Sequence, residues 1–490
     1  SYRFSGFPPT RPWGRILGQA GVSNRPYAQL PECSLEQPAS TPFDSHLRLP
    51  ALVAWLANRV FNLSGMTKNH LVYALWLTGL FGFANSHDLR GNEIRKSHPP
   101  FDWSVNQQQA SQAEWILNEL TDWRKTRPSG PLKALRVVYF HPSDRPPLKN
   151  HLERWNGIMG DMQDFYRSEM ERLGYGKVTL TLEKEEGKLK MHQVRGKSKD
   201  DGSYTYKSGG KIREEVFASL KEKGINPNLE TILIVCGLSK TEGKKVTIYS
   251  PYYGMGANHQ RGICFTADME WLSVEGLKPD PSKTILQVKE HRGYEPFSLG
   301  RFNSVYLGGA IHELGHGLSL PHNLATKREA LRGTALMGAG NYTYRKEWRK
   351  EGKGSFLTHA SAVRLLAHPL FGGTVHGSAI ANEVDYLDLN ATQGNDSIQI
   401  RGRIRSSTPI LAMIAYNDRE NKGQRGYGVN KDYDATTWTS VVSPENEFRI
   451  RIGELREGNH EIRLVSVHAA DRPPPSAVSY THLRAHETKS

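Results

Sequence analysis

Hydrophobic positions change their period along the chain, and the changes predict its elements. Residues 135–140, Leu-Arg-Val-Val-Tyr-Phe, are apolar at nearly every position, as a strand covered on both faces requires. Over residues 152–173, Trp155, Met159, Met162, Phe165, Tyr166, Met170 and Leu173 recur at helical spacing, which predicts a long amphipathic helix ended by Gly174. Residues 178–182 read as a second strand. A Gly- and Lys-rich loop then runs to Gly210, followed by a helix at 212–223 and a third strand at 231–235. Residues 262–266 predict a fourth strand. This alternation implies an α/β (α+β) domain over 132–373, a mixed sheet with helices packed on it. Residues 85–131 form a lead-in with one helix within 105–123, whose Ala113, Ile116, Leu117, Leu120 and Trp123 share a face.

Beyond Phe371 the helical period disappears. Residues 397–404, 410–416, 447–452 and 460–465 alternate at period two between turns rich in Gly, Asn and Asp. That pattern predicts a small all-β sandwich of immunoglobulin or fibronectin type over 374–476, an accessory module by analogy of fold alone.

The ends read differently. Met66-Thr67-Lys68-Asn69-His70 is a short basic start, and 71–84 is an apolar run ending in small residues before Asn85. The run is too short for an ordinary transmembrane helix and fits a secretory signal, although a buried helix has the same composition. The expectation is export to a secreted, periplasmic or extracellular location, with no membrane span in the mature chain. Residues 1–65 then read as upstream of the natural start, and 477–490 as a foreign tail.

The net charge of +14, from 64 Lys and Arg against 50 Asp and Glu, invites a nucleic-acid reading. The basic residues are dispersed among acidic ones, as in Leu182-Glu183-Lys184-Glu185-Glu186, so a solvated mixed surface and no nucleic-acid partner are expected. Cys33, Cys236 and Cys264 form no disulfide framework and no Cys-x-x-Cys metal spacing. Cys236 and Cys264 lie in strand-like runs, as buried thiols or as one bridge if the strands are adjacent.

The chemistry concentrates in residues 308–322, Gly-Gly-Ala-Ile-His-Glu-Leu-Gly-His-Gly-Leu-Ser-Leu-Pro-His. His312 and His316, four apart on a helix, present both imidazoles to one ion. Leu307, Ile311, Leu314 and Leu318 form the stripe that holds the helix on the core. The helix must end soon after Gly317, and a turn brings in His322. Three neutral imidazoles and a water make an open tetrahedral Zn2+ site of the catalytic kind, and Glu313 is placed as general base. Other histidines, among them His141, His259, His359, His368 and His376, sit outside ligand spacing. Asp432-Tyr433-Asp434 lacks the remaining ligands of a calcium loop.

This segment resembles the metzincin clan of zinc endopeptidases, whose motif is His-Glu-x-x-His-x-x-Gly-x-x-His with a later methionine turn. The likeness spans about 132–371 and is nearest to little-characterised secreted peptidases of bacteria and fungi. It implies His312, His316 and His322 as ligands, Glu313 as base, and Met337 of Leu336-Met337-Gly338-Ala339-Gly340 as the methionine turn. It further implies 262–266 as the edge strand that holds substrate, and 358–368 as the C-terminal helix. Two departures stand out. Ser319 occupies the clan's glycine position, where positive φ costs a serine about 1–2 kcal/mol. Ala339 stands where some members have a tyrosine ligand, so none is assigned, and Tyr342 and Tyr344 read as packing residues. The expectation is a secreted zinc metallopeptidase acting on protein or peptide. A zinc-supported binding protein without turnover, and a zinc hydrolase of a glycan amide, are the alternatives.

Overall fold

The computed structural model describes residues 109–127, 129–258, 261–290, 293–376, 384–394, 396–419, 435–455, 458–469 and 482–485. The expected upstream segment, signal sequence and Asp432–Asp434 pair lie outside them. The elements that frame the site are α1 (Gln109–Lys125), β1 (Arg136–His141), α2 (His151–Arg172), β2 (Met191–Arg195), α3 (Gly209–Glu222) and β3 (Thr231–Cys236). They continue with β4 (Ser239–Glu242), β5 (Lys245–Ile248), β6 (Tyr253–Asn258), β7 (Arg261–Ala267), β8 (Ile285–Lys289), β9 (Glu295–Ser298), α4 (Leu299–Gly317) and α5 (His359–Ala367).

The main sheet has the order β2-β1-β3-β7-β6, parallel except for antiparallel β6 at its edge. Alternation along each strand assigns the two faces. Val137, Tyr139, Leu233, Val235 and Cys264 face α2 and α4, while Val138, Phe140, Ile232, Ile234 and Phe265 face Ile212, Val216 and Leu220 of α3. α2 ends as its sequence predicts, with Gly174 at φ 89° and the Tyr175 amide donating to Met170 O. Cys236 and Cys264 are buried free thiols.

Three expectations are corrected. Residues 178–182 contribute only an isolated bridge, Leu135 to Leu182, and the strand beside β1 is β2, within the stretch read as loop. The 262–266 strand, β7, is interior, and the edge is β6. A second sheet, β9-β8-β5-β4, is built from short strands too polar to announce themselves.

The C-terminal region is all antiparallel: β10 (Val384–Gln393), β11 (Ile398–Ser406), β12 (Ile410–Arg419), β13 (Thr436–Ser440), β14 (Glu447–Ile452), β15 (Gly458–His468) and β16 (His482–Ala485). Sheets β10-β11-β14 and β13-β12-β15-β16 share a core that includes Ile400, Met413, Ala415, Phe448, Ile450 and Leu464. β12 does not alternate in burial. Leu411, Ala412, Ile414 and Tyr416 belong to the core of the preceding α/β region, so β12 is covered on both sides. α1 and α5 both pack on it. Among the described residues no helix is long and apolar enough to cross a membrane.

Candidate active site

Helix α4 begins at Ser298, whose Oγ accepts from the Arg301 amide at 3.2 Å, and its apolar stripe fixes it beneath the sheet. Glycines allow edge strand β6 and its neighbour β7 to lie directly on it. A Cβ at Gly254 would overlap the Glu313 carbonyl, and one at Gly262 would overlap that of Gly317. The helix closes in a Schellman arrangement: the Leu320 amide donates to Gly315 O and the Ser319 amide to His316 O, each at 2.9 Å. Ser319 takes φ 64° at the position glycine usually fills.

This turn carries the chain back so that His312, His316 and His322 converge, with one ring nitrogen from each within 4.8 Å of the others. Among the described residues it is the one group of three such side chains. His312 Nδ1 lies 2.7 Å from Leu336 O and His316 Nδ1 2.9 Å from Leu320 O, so both rings donate backwards and aim Nε2 into the cleft. His316 Nε2 and His322 Nε2 are 3.0 Å apart. Two ring nitrogens that close need a shared proton or cation between them, and with buried neutral imidazoles the donor set fits Zn2+. Burial holds His312 down to about 3, with repulsion from His322 adding to it, and holds His316 well below its ordinary range.

Glu313 is buried beside the triad. Its Oε2 accepts from the Gly254 amide at 2.8 Å, and burial pushes its carboxyl up to about 8. Met337 packs against Gly315 of the helix, its Sδ and Cε filling the space a Cβ there would take. Its carbonyl accepts from the Asn323 amide at 3.2 Å, tying the turn at 335–338 to the His322 loop. Tyr344 is core, donating to Asp161 Oδ2 at 2.6 Å, and Tyr342 packs partly buried nearby. His359 and His368 are buried and partnered away from the site.

The structure thus brings His312, His316 and His322 together, keeps Glu313 buried next to His312 on the same helix, and packs Met337 against Gly315 of that helix. Sequence reasoning missed Gly254, whose amide orients the general-base candidate. Its one signal was Gly254-x-Gly256, period-two glycine that marks close backbone approach. It also missed Arg364, which donates to Ser319 O, and Ser361, whose Oγ accepts from Asn323 Nδ2 beside His322.

No family model matches the chain, and no curated protein does. Among solved structures, the chain is similar to wild-type OgpA from Akkermansia muciniphila, with 26% identity and a TM-score of 0.59, over 74% of this chain and 97% of that one. It is also similar to catalytically inactive OgpA in complex with an O-glycopeptide (glycodrosocin) substrate, with 25% identity and a TM-score of 0.57, over 74% and 96%. The chain therefore shares with OgpA a mixed α/β region followed by antiparallel sheets.

Proposed function

We propose that this protein is a zinc-dependent peptidase of metzincin type whose substrates are polypeptides bearing O-linked sugar. The observation that carries the reading is the convergence of His312, His316 and His322 beside a buried, amide-held Glu313. The likeness to OgpA, nearly the full length of that chain and including a form holding an O-glycopeptide, supports the substrate class. His312, His316 and His322 would hold Zn2+, which supplies Lewis-acid activation of water and of the scissile carbonyl. Glu313 takes the proton of the attacking water and delivers it to the leaving amine. The Gly254 amide occupies one carboxylate oxygen, which orients the other for that transfer. Strand β6, at the edge of the sheet among the described residues and antiparallel to β7, offers main-chain groups to an extended polypeptide. Export, through the 66–84 signal pattern, belongs to the same proposal.

Digestion of matched peptides, one carrying an O-linked sugar and one bare, with and without a chelator, tests it. Cleavage is expected of the glycosylated peptide, abolished by chelation and restored by Zn2+. Chelator-resistant cleavage would contradict the metal reading. Equal cleavage of both peptides would contradict the substrate class, and release of sugar from an intact peptide would point to glycan hydrolysis.

A further inference from the structure

We infer that the C-terminal sandwich is part of the apparatus that positions His322, with strand β13 acting through the loop that carries this ligand. The inference rests on the metal reading of the triad. His322 lies in a stretch without regular structure, so helix α4 alone does not dictate where its ring points. The loop is instead held from three directions. From α5, Arg364 Nη2 donates to Ser319 O at 2.7 Å, and Ser361 Oγ accepts from Asn323 Nδ2 at 2.9 Å. From the methionine turn comes the Met337 carbonyl on the Asn323 amide.

The third direction is the sandwich. The Leu324 amide donates to Ala435 O at 2.6 Å, and Leu324 pairs with Thr436 in a parallel bridge. Further on, the Lys327 amide donates to Glu454 Oε2 at 2.6 Å. Leu324 is the second residue after His322, and a two-residue tether of about 3.8 Å per step leaves the ligand's backbone little freedom.

β13 also reaches the helix that braces the other side of the loop. Thr439 Oγ1 donates to Gln112 Oε1 at 2.9 Å and accepts from His359 Nδ1, 2.8 Å away, at the start of α5. The opposite ring nitrogen, His359 Nε2, accepts from Tyr175 OH at 2.6 Å, so this imidazole is neutral and fixed in one tautomer. One strand of the sandwich therefore touches the ligand loop directly and, through His359, the helix whose Ser361 and Arg364 hold it. β12 makes this a fixed platform, because its Leu411, Ile414 and Tyr416 are built into the α/β core. A contact that merely joined two domains would leave metal affinity untouched, whereas groups that orient a ligand are worth roughly tenfold to a hundredfold in affinity.

The test titrates full-length wild type, Leu324→Pro, Thr439→Val and Thr439→Ser with Co2+, reading the visible absorption bands, and measures Zn2+ affinity by chelator competition. Proline deletes the amide donor, valine deletes the hydroxyl, and serine keeps it. Leu324→Pro is expected to weaken Zn2+ by about tenfold or more and to alter the Co2+ bands. Thr439→Val should show a smaller loss that Thr439→Ser reverses. A Leu324→Pro variant with native circular dichroism, wild-type affinity and wild-type bands would overturn the inference. If that variant does not fold, unchanged affinity in Thr439→Val would overturn it. Wild type that binds no metal would remove both this inference and the metal reading. Wild type that binds one ion, with variants that bind it equally, would remove this inference alone.

Discussion

Ser319 stands where the helix of the site must turn, and its φ of 64° matches the positive φ read from its place in the motif. That residue was legible because the requirement is local: histidines at 312, 316 and 322 reach one point only if the chain reverses between them. Gly254 was not, because its role is a backbone amide delivered from a strand 59 residues away. The Ser319 conformation costs about 1–2 kcal/mol relative to an unstrained residue, and part of that is returned by glycine. Ser319→Gly should therefore raise the unfolding free energy of the metal-free protein by about 1 kcal/mol in a denaturant titration. Unchanged or lower stability would show that the loop's hydrogen bonds, not its backbone strain, decide this position.

Elements with strong period and length were readable: α2, α3, β1, β3 and β7 lie within a few residues of their expected positions, and α5 lies where the resemblance implied a helix. Those missed are strands whose sequence is half polar or glycine-bearing, such as Met-His-Gln-Val-Arg of β2 and Tyr-Gly-Met-Gly-Ala-Asn of β6. Their pairing comes from neighbours distant in sequence, not from their own propensity. α5 adds a dependence on pH. His368 at its C-terminal end accepts from the Leu370 amide through Nδ1 at 3.2 Å, and burial, with the Arg364 charge, holds it down to about 3. In the unfolded chain it takes a proton below about 6.5, so the folded state binds fewer protons. Stability should fall as pH drops from about 6.5 toward 3, with no contribution above that window. His368→Asn keeps an acceptor for Leu370 without a titrating group, and urea unfolding from pH 7 to 4 should show a shallower decline. An unaltered slope would place the acid sensitivity elsewhere.

At the scale of the molecule, the change of period near Phe371 was visible, but the relation between the two regions was not. A strand such as β12, covered on one side by its own sandwich and on the other by α1 and α5, looks in sequence like any buried strand. Leu411, Ile414 and Tyr416 join the sandwich to the α/β core, whereas interfaces between mobile domains are smaller and more polar. Native-state hydrogen exchange should find the amides of β12 and α4 opening with one common free energy. A sandwich that opens at much lower cost while α4 stays protected would contradict a shared core.

In the proposed function Glu313 moves the proton of a metal-dependent hydrolysis, and Glu313→Gln isolates that role. Glutamine keeps the size of the side chain and can still accept from the Gly254 amide, but it cannot take a proton from water. The variant should bind one Zn2+ per chain, unfold as wild type does, and lose at least about 10²–10⁴-fold in peptide cleavage. A zinc-loaded, normally folded Glu313→Gln that cleaves at the wild-type rate would show that Glu313 is not the general base.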